Sequence, residues 1–149
     1  MKFNNSQKMH TKIALAIFAY CVGFILFAKE IPSEIQGYQL KVANGHVIIP
    51  NGVTRIRTET FYDCKSLKSV EIPSSVQSIG DNAFKGLDLP SIVIPDNITN
   101  IGREAFYTCV NLTDVTIGTG VTSMDSKVFS GCKNLTNVSI NSDMLAEIP

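Results

Sequence analysis

The chain has 149 residues with 13 basic and 13 acidic side chains, so its formal net charge at pH 7 is zero. This length has room for one domain, and balanced charge argues against a polyanion-binding surface, so no nucleic-acid partner is expected. The two histidines have no carboxylate or nucleophile at a motif spacing, and no glycine-rich phosphate loop occurs, which argues against an enzyme and against a cofactor.

The first predicted element is an apolar helix near the N-terminus. Residues 13–28 carry no charge, and Lys2, Lys8 and Lys12 precede them. Basic residues before an apolar segment keep the N-terminus in the cytoplasm and direct the rest of the chain across the membrane. A helix of this length extends about 24 Å, whereas a hydrocarbon core is roughly 30 Å thick. Residues 1–28 are therefore predicted to be a signal peptide, with an uncleaved membrane anchor as the alternative and a buried apolar segment as a third interpretation.

Residues 29–46 are interpreted as a linker or cap, and the sequence beyond them repeats every 22 or 23 residues. Four units cover residues 49–71, 72–93, 94–116 and 117–139, and a partial unit covers 140–149. Counted from each unit's first isoleucine, the same offsets are apolar, and offset 12 is always phenylalanine: Phe61, Phe84, Phe106 and Phe129. The second unit lacks one position between Phe84 and Leu89. Such self-similarity is typical of a solenoid, in which each unit buries its open face against its neighbours.

The end of one unit and the start of the next form an L-x-x-V-x-I frame, which is the strand frame of a leucine-rich repeat. Alternate side chains of such a strand point into the core. Residues 47–149 are therefore predicted to form an α/β leucine-rich repeat solenoid. Its parallel strands are expected near 47–49, 70–72, 92–94, 115–117 and 138–140 on the concave face. Gly80 and Gly102 suit a turn before an Ala-Phe pair, so turns and short helical segments are expected on the convex side.

The repeat pattern I-P-x-x-V-x-x-I-G-x-x-A-F-x-x-C-x-x-L-x-x-V resembles the BspA-like leucine-rich repeats of bacterial and protozoan surface antigens. The resemblance covers residues 49–140, with departures at Arg57 and Thr60 in the first unit and at Gly118 and Asp125 in the fourth. It implies a cell-surface or secreted protein, often adhesive towards extracellular proteins, and it implies no enzyme activity. A repeat pattern specifies the fold better than the ligand.

Three cysteines share offset 15, namely Cys64, Cys109 and Cys132, where the second unit has Leu87. A position that accepts leucine is an apolar core position, in which a free cysteine packs as a small hydrophobe. Cys109 and Cys132 belong to adjacent units about 4.8 Å apart, so a disulfide in an oxidising compartment is the alternative. No C-x-x-C pair is present, so no metal site is expected.

Glycosylation signals of the N-x-S/T type begin at Asn97, Asn111 and Asn134, and a further one begins at Asn137. The first three are candidate sites if the chain is a secreted eukaryotic protein. The alternative is that such triplets arise by composition, because the repeats are rich in Asn, Ser and Thr. Asn137 is predicted to face the concave sheet.

Solenoids commonly bind partners on a concave sheet. The outward strand residues predicted to do so are Ile48, Ser69, Glu71, Ser91, Val93, Asp114, Thr116, Asn137 and Ser139. The predicted function is binding of extracellular proteins, such as host or matrix proteins, without catalysis. Two alternatives remain open: a structural surface-coat protein without a defined ligand, and an intracellular scaffold. The fifth unit offers only Met144, Leu145 and Ile148 as a cap, which favours self-association through the C-terminal end.

Overall fold

The computed structural model describes residues 34–140, in which twelve short β-strands and no helices occur. In chain order the strands are β1 (Glu34–Ile35), β2 (Tyr38–Gln39), β3 (Lys41–Ala43), β4 (His46–Ile48), β5 (Arg55–Ile56), β6 (Ser69–Glu71), β7 (Ser78–Ile79), β8 (Ser91–Ile94), β9 (Asn100–Ile101), β10 (Asp114–Ile117), β11 (Ser123–Met124) and β12 (Asn137–Ile140). Across these residues no helical segment has the length and apolarity to cross a bilayer. The predicted apolar helix at 13–28 and the partial unit beyond residue 140 lie outside the described residues.

Five strands, β4, β6, β8, β10 and β12, lie at the positions predicted for the concave sheet, which confirms the leucine-rich repeat solenoid. They run parallel, and paired residues are one repeat apart: Asp114 pairs with Ser91 on one side and with Asn137 on the other. The short strand β3 pairs antiparallel with β4 and precedes the parallel series. We call these five parallel strands the concave sheet.

The concave sheet is interrupted between β6 and β8, which lie side by side but form no ladder in the described structure. At the equivalent junctions, a backbone N–H group joins one unit to the unit before it. The donor is the residue four positions before the isoleucine that begins the next unit. Lys68 donates to the carbonyl of Gly45 over 2.8 Å, and Thr113 donates to that of Pro90 over 2.9 Å. Pro90 holds this position in the second unit, and proline has no N–H to donate. We call this junction the β6–β8 seam.

A second parallel sheet, which the sequence did not predict, consists of β5, β7, β9 and β11. Each strand has two residues, of which one is a core residue at offset 7: Ile56, Ile79, Ile101 and Met124. The amide oxygen of Gln36 accepts the backbone N–H groups of Thr54 and Arg55 over 3.0 and 3.1 Å. The Gln36 side chain therefore occupies the place of a preceding strand at the first edge of this sheet.

The expectation of short helical segments on the convex side is wrong for residues 34–140, where turns take their place. Two positions in every unit have positive φ. At offset 10 they are Glu59, Asn82, Glu104 and Lys127, and at offset 14 they are Asp63, Gly86, Thr108 and Gly131. An α-helix excludes this left-handed conformation. Backbone N–H groups of these turns also form hydrogen bonds between units. Those of Glu104, Phe106 and Thr108 donate to carbonyls of the next unit over 3.3, 3.0 and 2.9 Å.

The core between the two sheets and the turns is apolar throughout the described residues, with no buried polar or charged side chain. Its centre is a stack of the four repeat phenylalanines. Successive ring centroids are 5.3, 5.1 and 5.4 Å apart, and the ring planes differ by 11°, 7° and 15°. Phe61, Phe84 and Phe106 are fully buried. Because each ring contacts those of adjacent units, a unit acquires its core only by stacking.

Candidate protein-binding surface

Successive side chains of a strand point to opposite faces, so the outward side chains of the concave sheet form two rows that run across the strands. The first row contains His46, Ser69, Ser91, Asp114 and Asn137, and the second row contains Ile48, Glu71, Val93, Thr116 and Ser139. The structure thus brings all nine predicted ligand-binding residues onto one surface, together with His46. Ser69, Thr116 and His46 are half-buried, and the others are exposed.

The side chains of the first row are polar, and several of them form hydrogen bonds with one another or with an adjacent residue. The Nδ1 atom of His46 lies 2.6 Å from the hydroxyl of Ser69. The amide of Asn137 donates to one carboxylate oxygen of Asp114 over 2.7 Å, and the hydroxyl of Thr113 donates to the other over 2.5 Å. These hydrogen bonds, that from Thr113 first, lower the pKa of Asp114, which is therefore ionised at neutral pH. The first row consequently presents polar groups whose bonding is already largely complete.

The second row differs because it places a carboxylate between two exposed apolar side chains. Ile48 is 37% exposed and Val93 is 62% exposed, the highest value among large hydrophobic residues in the described range. Glu71 pairs in register with Ile48 and lies across the β6–β8 seam from Val93. Large exposed apolar side chains beside polar groups are candidate contact points for a partner protein. We call Ile48, Glu71 and Val93 the seam triplet.

A further carboxylate near the concave sheet, that of Asp88, is paired with a cation within the chain. Asp88 accepts hydrogen bonds from the ammonium of Lys68 and from the amide of Asn111. The contact with Lys68 is the main cause of a lowered pKa at Asp88. No ion pair or side-chain hydrogen bond joins Glu71 to another residue within 34–140. Glu71 is therefore the carboxylate that this surface leaves available.

The three predicted glycosylation positions, Asn97, Asn111 and Asn134, are exposed. In the third unit the glycosylation triplet contributes to the hydrogen-bond network instead of projecting freely. The Asn111 amide contacts Asp88, and the Thr113 hydroxyl oxygen lies 2.9 Å from the carbonyl oxygen of Pro90. A glycan on Asn111 would replace the first of these contacts, and glycosylation of all three positions stays a prediction.

The cysteines at offset 15 occupy the core, as the comparison with Leu87 predicted. Cys64 and Cys109 are fully buried, Cys132 is half-buried, and none of the three forms a disulfide in the structure. The neighbouring Cys132 and burial both raise the pKa of Cys109, so it is held as a thiol. Among residues 34–140 no group of three or more His, Cys, Asp or Glu side chains is arranged to hold a metal ion.

A cluster that the sequence did not predict lies on the convex side at offset 13, where successive units carry Tyr62, Lys85 and Tyr107. The Lys85 ammonium lies 5.9 and 4.8 Å from the centroids of the two tyrosine rings, and 2.8 Å from the carboxylate of Glu104. The hydrogen bond between Lys85 and Glu104 raises the pKa of the lysine and lowers that of the glutamate. The Lys85 ammonium is already paired with the Glu104 carboxylate, so it is not free to bind an anionic ligand. This cluster therefore stabilises the turns.

Comparison with known proteins agrees with this architecture. A family model described as a BspA type leucine rich repeat region (6 copies) matches residues 29–148. A leucine rich cell surface protein from Faecalibacterium prausnitzii is 33% identical, with a TM-score of 0.51 over 67% of this chain and 33% of that one. A leucine-rich repeat protein from Bacteroides ovatus is 26% identical, with a TM-score of 0.56 over 64% of this chain and 30% of that one.

The leucine rich repeat protein of T. pallidum shares the fold at 21% identity, with a TM-score of 0.53 over 74% of this chain and 82% of that one. This chain thus spans about a third of the Faecalibacterium and Bacteroides proteins and most of the T. pallidum protein. No curated protein matches the sequence.

Proposed function

The chain belongs to the family of BspA-type leucine-rich repeat proteins, and from that premise we propose that it is a cell-surface or secreted protein that binds another protein on its concave sheet without catalysis. The seam triplet is the observation that carries this proposal. Val93 and Ile48 expose apolar area on a sheet whose remaining outward residues are polar. Covering such area stabilises a complex by about 25 cal/mol per Å².

The proposed location at the cell surface is supported by the leucine rich cell surface protein of F. prausnitzii, which is 33% identical. The basic residues Lys2, Lys8 and Lys12 before the apolar segment 13–28 support export of the repeats in the same way. Protease treatment of intact cells that produce the full chain tests this location. Loss of the repeats with a cytoplasmic marker intact is the expected result, and full protection of the repeats contradicts it.

Binding of the full chain to immobilised extracellular-matrix proteins tests the proposed surface. We expect Val93→Ser to weaken binding, because it removes the most exposed apolar group of the concave sheet. Val110→Ser is the matched control, since Val110 is 42% exposed but lies outside both rows. Equal effects of the two substitutions, or no effect of Val93→Ser, would assign binding to another surface.

Self-association is a second candidate function, and the exposure of Val138 favours it. Of the equivalent residues, Val47, Ile92 and Val115 are at most 3% exposed and Val70 is half-buried, whereas Val138 is 48% exposed. A second copy of the chain that packs on β12 would cover this side chain. Light scattering over a range of concentrations tests the idea, with Val138→Lys expected to shift the mass towards the monomer. A monomer at all concentrations excludes it.

A further inference from the structure

The seam triplet determines the charge of the partner that can cover it, because no cation pairs with the Glu71 carboxylate within residues 34–140. The other carboxylates whose side chains are described each have a partner. Asp114 accepts from Asn137, and Asp96 accepts the backbone N–H of Thr119 over 2.9 Å. Asp81 likewise accepts the N–H of Arg103 over 2.9 Å. An ionised carboxylate that is buried without a donor is destabilising, so a partner that covers Ile48 and Val93 must bring a donor to Glu71.

The charge of the two rows indicates that this donor is a cation. Glu71 and Asp114 are the ionised groups among the ten row residues, which include no lysine or arginine. The ion pair of Lys68 with Asp88 adds no net charge beside them. The ten row residues therefore carry acidic groups only, and Lys41 of β3 adds one cation at the end of the second row, on the far side of Ile48 from Glu71. Complementary charge across an interface favours a basic partner and speeds its association.

The apolar neighbours of Glu71 narrow the choice of cation. Strands of a sheet are about 4.8 Å apart, so Ile48 and Val93 flank the carboxylate at a separation on the order of 10 Å. Arginine and lysine lay their aliphatic stems along apolar surface while the charged group reaches a polar partner. Arginine has the further advantage of a planar fork that binds a carboxylate through two hydrogen bonds.

We propose that the seam triplet is the docking site for a segment of a partner protein that presents one arginine between apolar side chains, with the guanidinium on Glu71 and the apolar groups on Ile48 and Val93. This inference rests on the proposed function, since it specifies the partner of the same concave sheet.

Selection of a random peptide library displayed on phage against the immobilised full chain tests the inference. We expect the enriched peptides to contain an arginine, or less often a lysine, flanked by Leu, Ile, Val or Phe. A synthetic peptide of the enriched sequence should bind about tenfold or more weakly to Glu71→Gln, and its dependence on salt should decrease. Selection against Glu71→Arg should instead enrich peptides with a central Asp or Glu.

The matched control is Ser139→Gln, which lies in the same row at its other end and should leave peptide affinity within about twofold. Thermal unfolding monitored by circular dichroism checks that each variant retains the fold. Peptides without a basic residue, or affinity that is unchanged in Glu71→Gln, overturn the inference. So does a selection that yields no binder.

The proposed function has its own test, because it depends on whether Val93→Ser weakens binding to matrix proteins. If Val93→Ser weakens that binding and Glu71→Gln does not, the concave sheet binds a partner of another chemistry. If neither substitution has an effect, both the surface and the charge assignment are wrong.

Discussion

The thiol of Cys109 donates a hydrogen bond to the carbonyl oxygen of Phe84 in the preceding unit, with 3.1 Å between sulfur and oxygen. Cys132 makes the same contact with Phe106 one unit later, also over 3.1 Å. The repeated cysteine is thus both an apolar filler and a weak donor to the backbone of the phenylalanine stack. Leucine at this offset fills space but donates nothing, and the unit that has it is one residue shorter.

Replacing Cys109 by alanine is expected to lower the free energy of unfolding by about 1–2 kcal/mol, since it leaves a small cavity and removes the donor to the Phe84 carbonyl. Urea denaturation of the full chain measures this value. Cys132→Ala is the matched control and should cost less, because Cys132 is only half-buried. A larger loss for Cys132→Ala would contradict the assignment of both cysteines to packing.

Phe84→Ala is expected to lower the free energy of unfolding by about 3–5 kcal/mol, because the ring is fully buried between those of Phe61 and Phe106. Phe129→Ala should cost roughly half as much, since Phe129 is half-buried and stacks on Phe106 alone within the described residues. Thermal or urea unfolding distinguishes the two variants. Equal losses would mean that neither the deeper burial of Phe84 nor its second ring contact adds to stability.

Lys127→Gly is expected to leave stability unchanged or to raise it by up to about 1 kcal/mol. Lys127 has a φ of 61°, and the left-handed conformation costs a non-glycine residue about 1–2 kcal/mol. Lys133→Gly is the control, because Lys133 has no positive φ and should lose about 0.5–1 kcal/mol. Comparison of the two melting curves checks the prediction, and a similar loss in both variants would refute it.

The ion pair of Lys85 with Glu104 predicts a dependence of stability on pH. Because the folded state lowers the pKa of Glu104, the pair stabilises the protein above the unfolded glutamate pKa of about 4.3 and is lost as the pH falls through the folded value. The raised pKa of Lys85 gives the opposite limb, in which stability falls as the pH rises past about 10.4.

Denaturation of wild type and Glu104→Gln at pH 7 and at pH 3 measures the acid limb. Wild type should be more stable than the variant at pH 7 and should lose that advantage at pH 3. Lys85→Met provides the control, since Glu104→Gln should have almost no further effect in its background. A constant difference between wild type and Glu104→Gln at all pH values would show that the charge of Glu104 is irrelevant.

The β6–β8 seam predicts uneven hydrogen exchange within the concave sheet. Amide protons of β6 and β8 that face each other should exchange faster than those of the β8–β10 ladder, because exchange requires the loss of fewer hydrogen bonds. Peptide-level exchange with mass spectrometry covers both junctions. Pro90→Ala restores an N–H at the break and should slow exchange there, whereas equal exchange at both junctions in wild type would contradict the prediction.

The concave strands could be predicted because their alternation of inward and outward side chains extends over three or four residues. Val115 and Ile117 point inwards between Asp114 and Thr116, so the same pattern also located the candidate binding rows. The strands of the second sheet could not be predicted in this way. Two residues such as Arg55 and Ile56 contain a single inward side chain and therefore show no period.

The sequence predicts short helical segments where the structure has turns, because non-glycine residues adopt the left-handed conformation in these turns. Glu104 and Thr108, on either side of the Ala105-Phe106 pair, carry no sequence signal for positive φ. Their conformation is set by hydrogen bonds to the next unit, which local sequence does not encode. The sequence likewise located Glu71 on the concave sheet but not the absence of an ion pair to it within residues 34–140, since pairs such as Lys68 with Asp88 join residues of different units.

The presence of two separate ladders in each unit determines where the repeat can change its length. Every unit has the same twelve-residue spacing from its first isoleucine to its phenylalanine, as from Ile72 to Phe84, and this stretch contains the second sheet. The missing residue lies after Phe84, where its loss coincides with the break in the concave sheet but leaves the pairing of Ser78 with Arg55 and Asn100 intact. Insertions and deletions in related repeats should therefore collect between the phenylalanine and the following leucine, while the preceding segment keeps constant length and preserves the alignment of successive units.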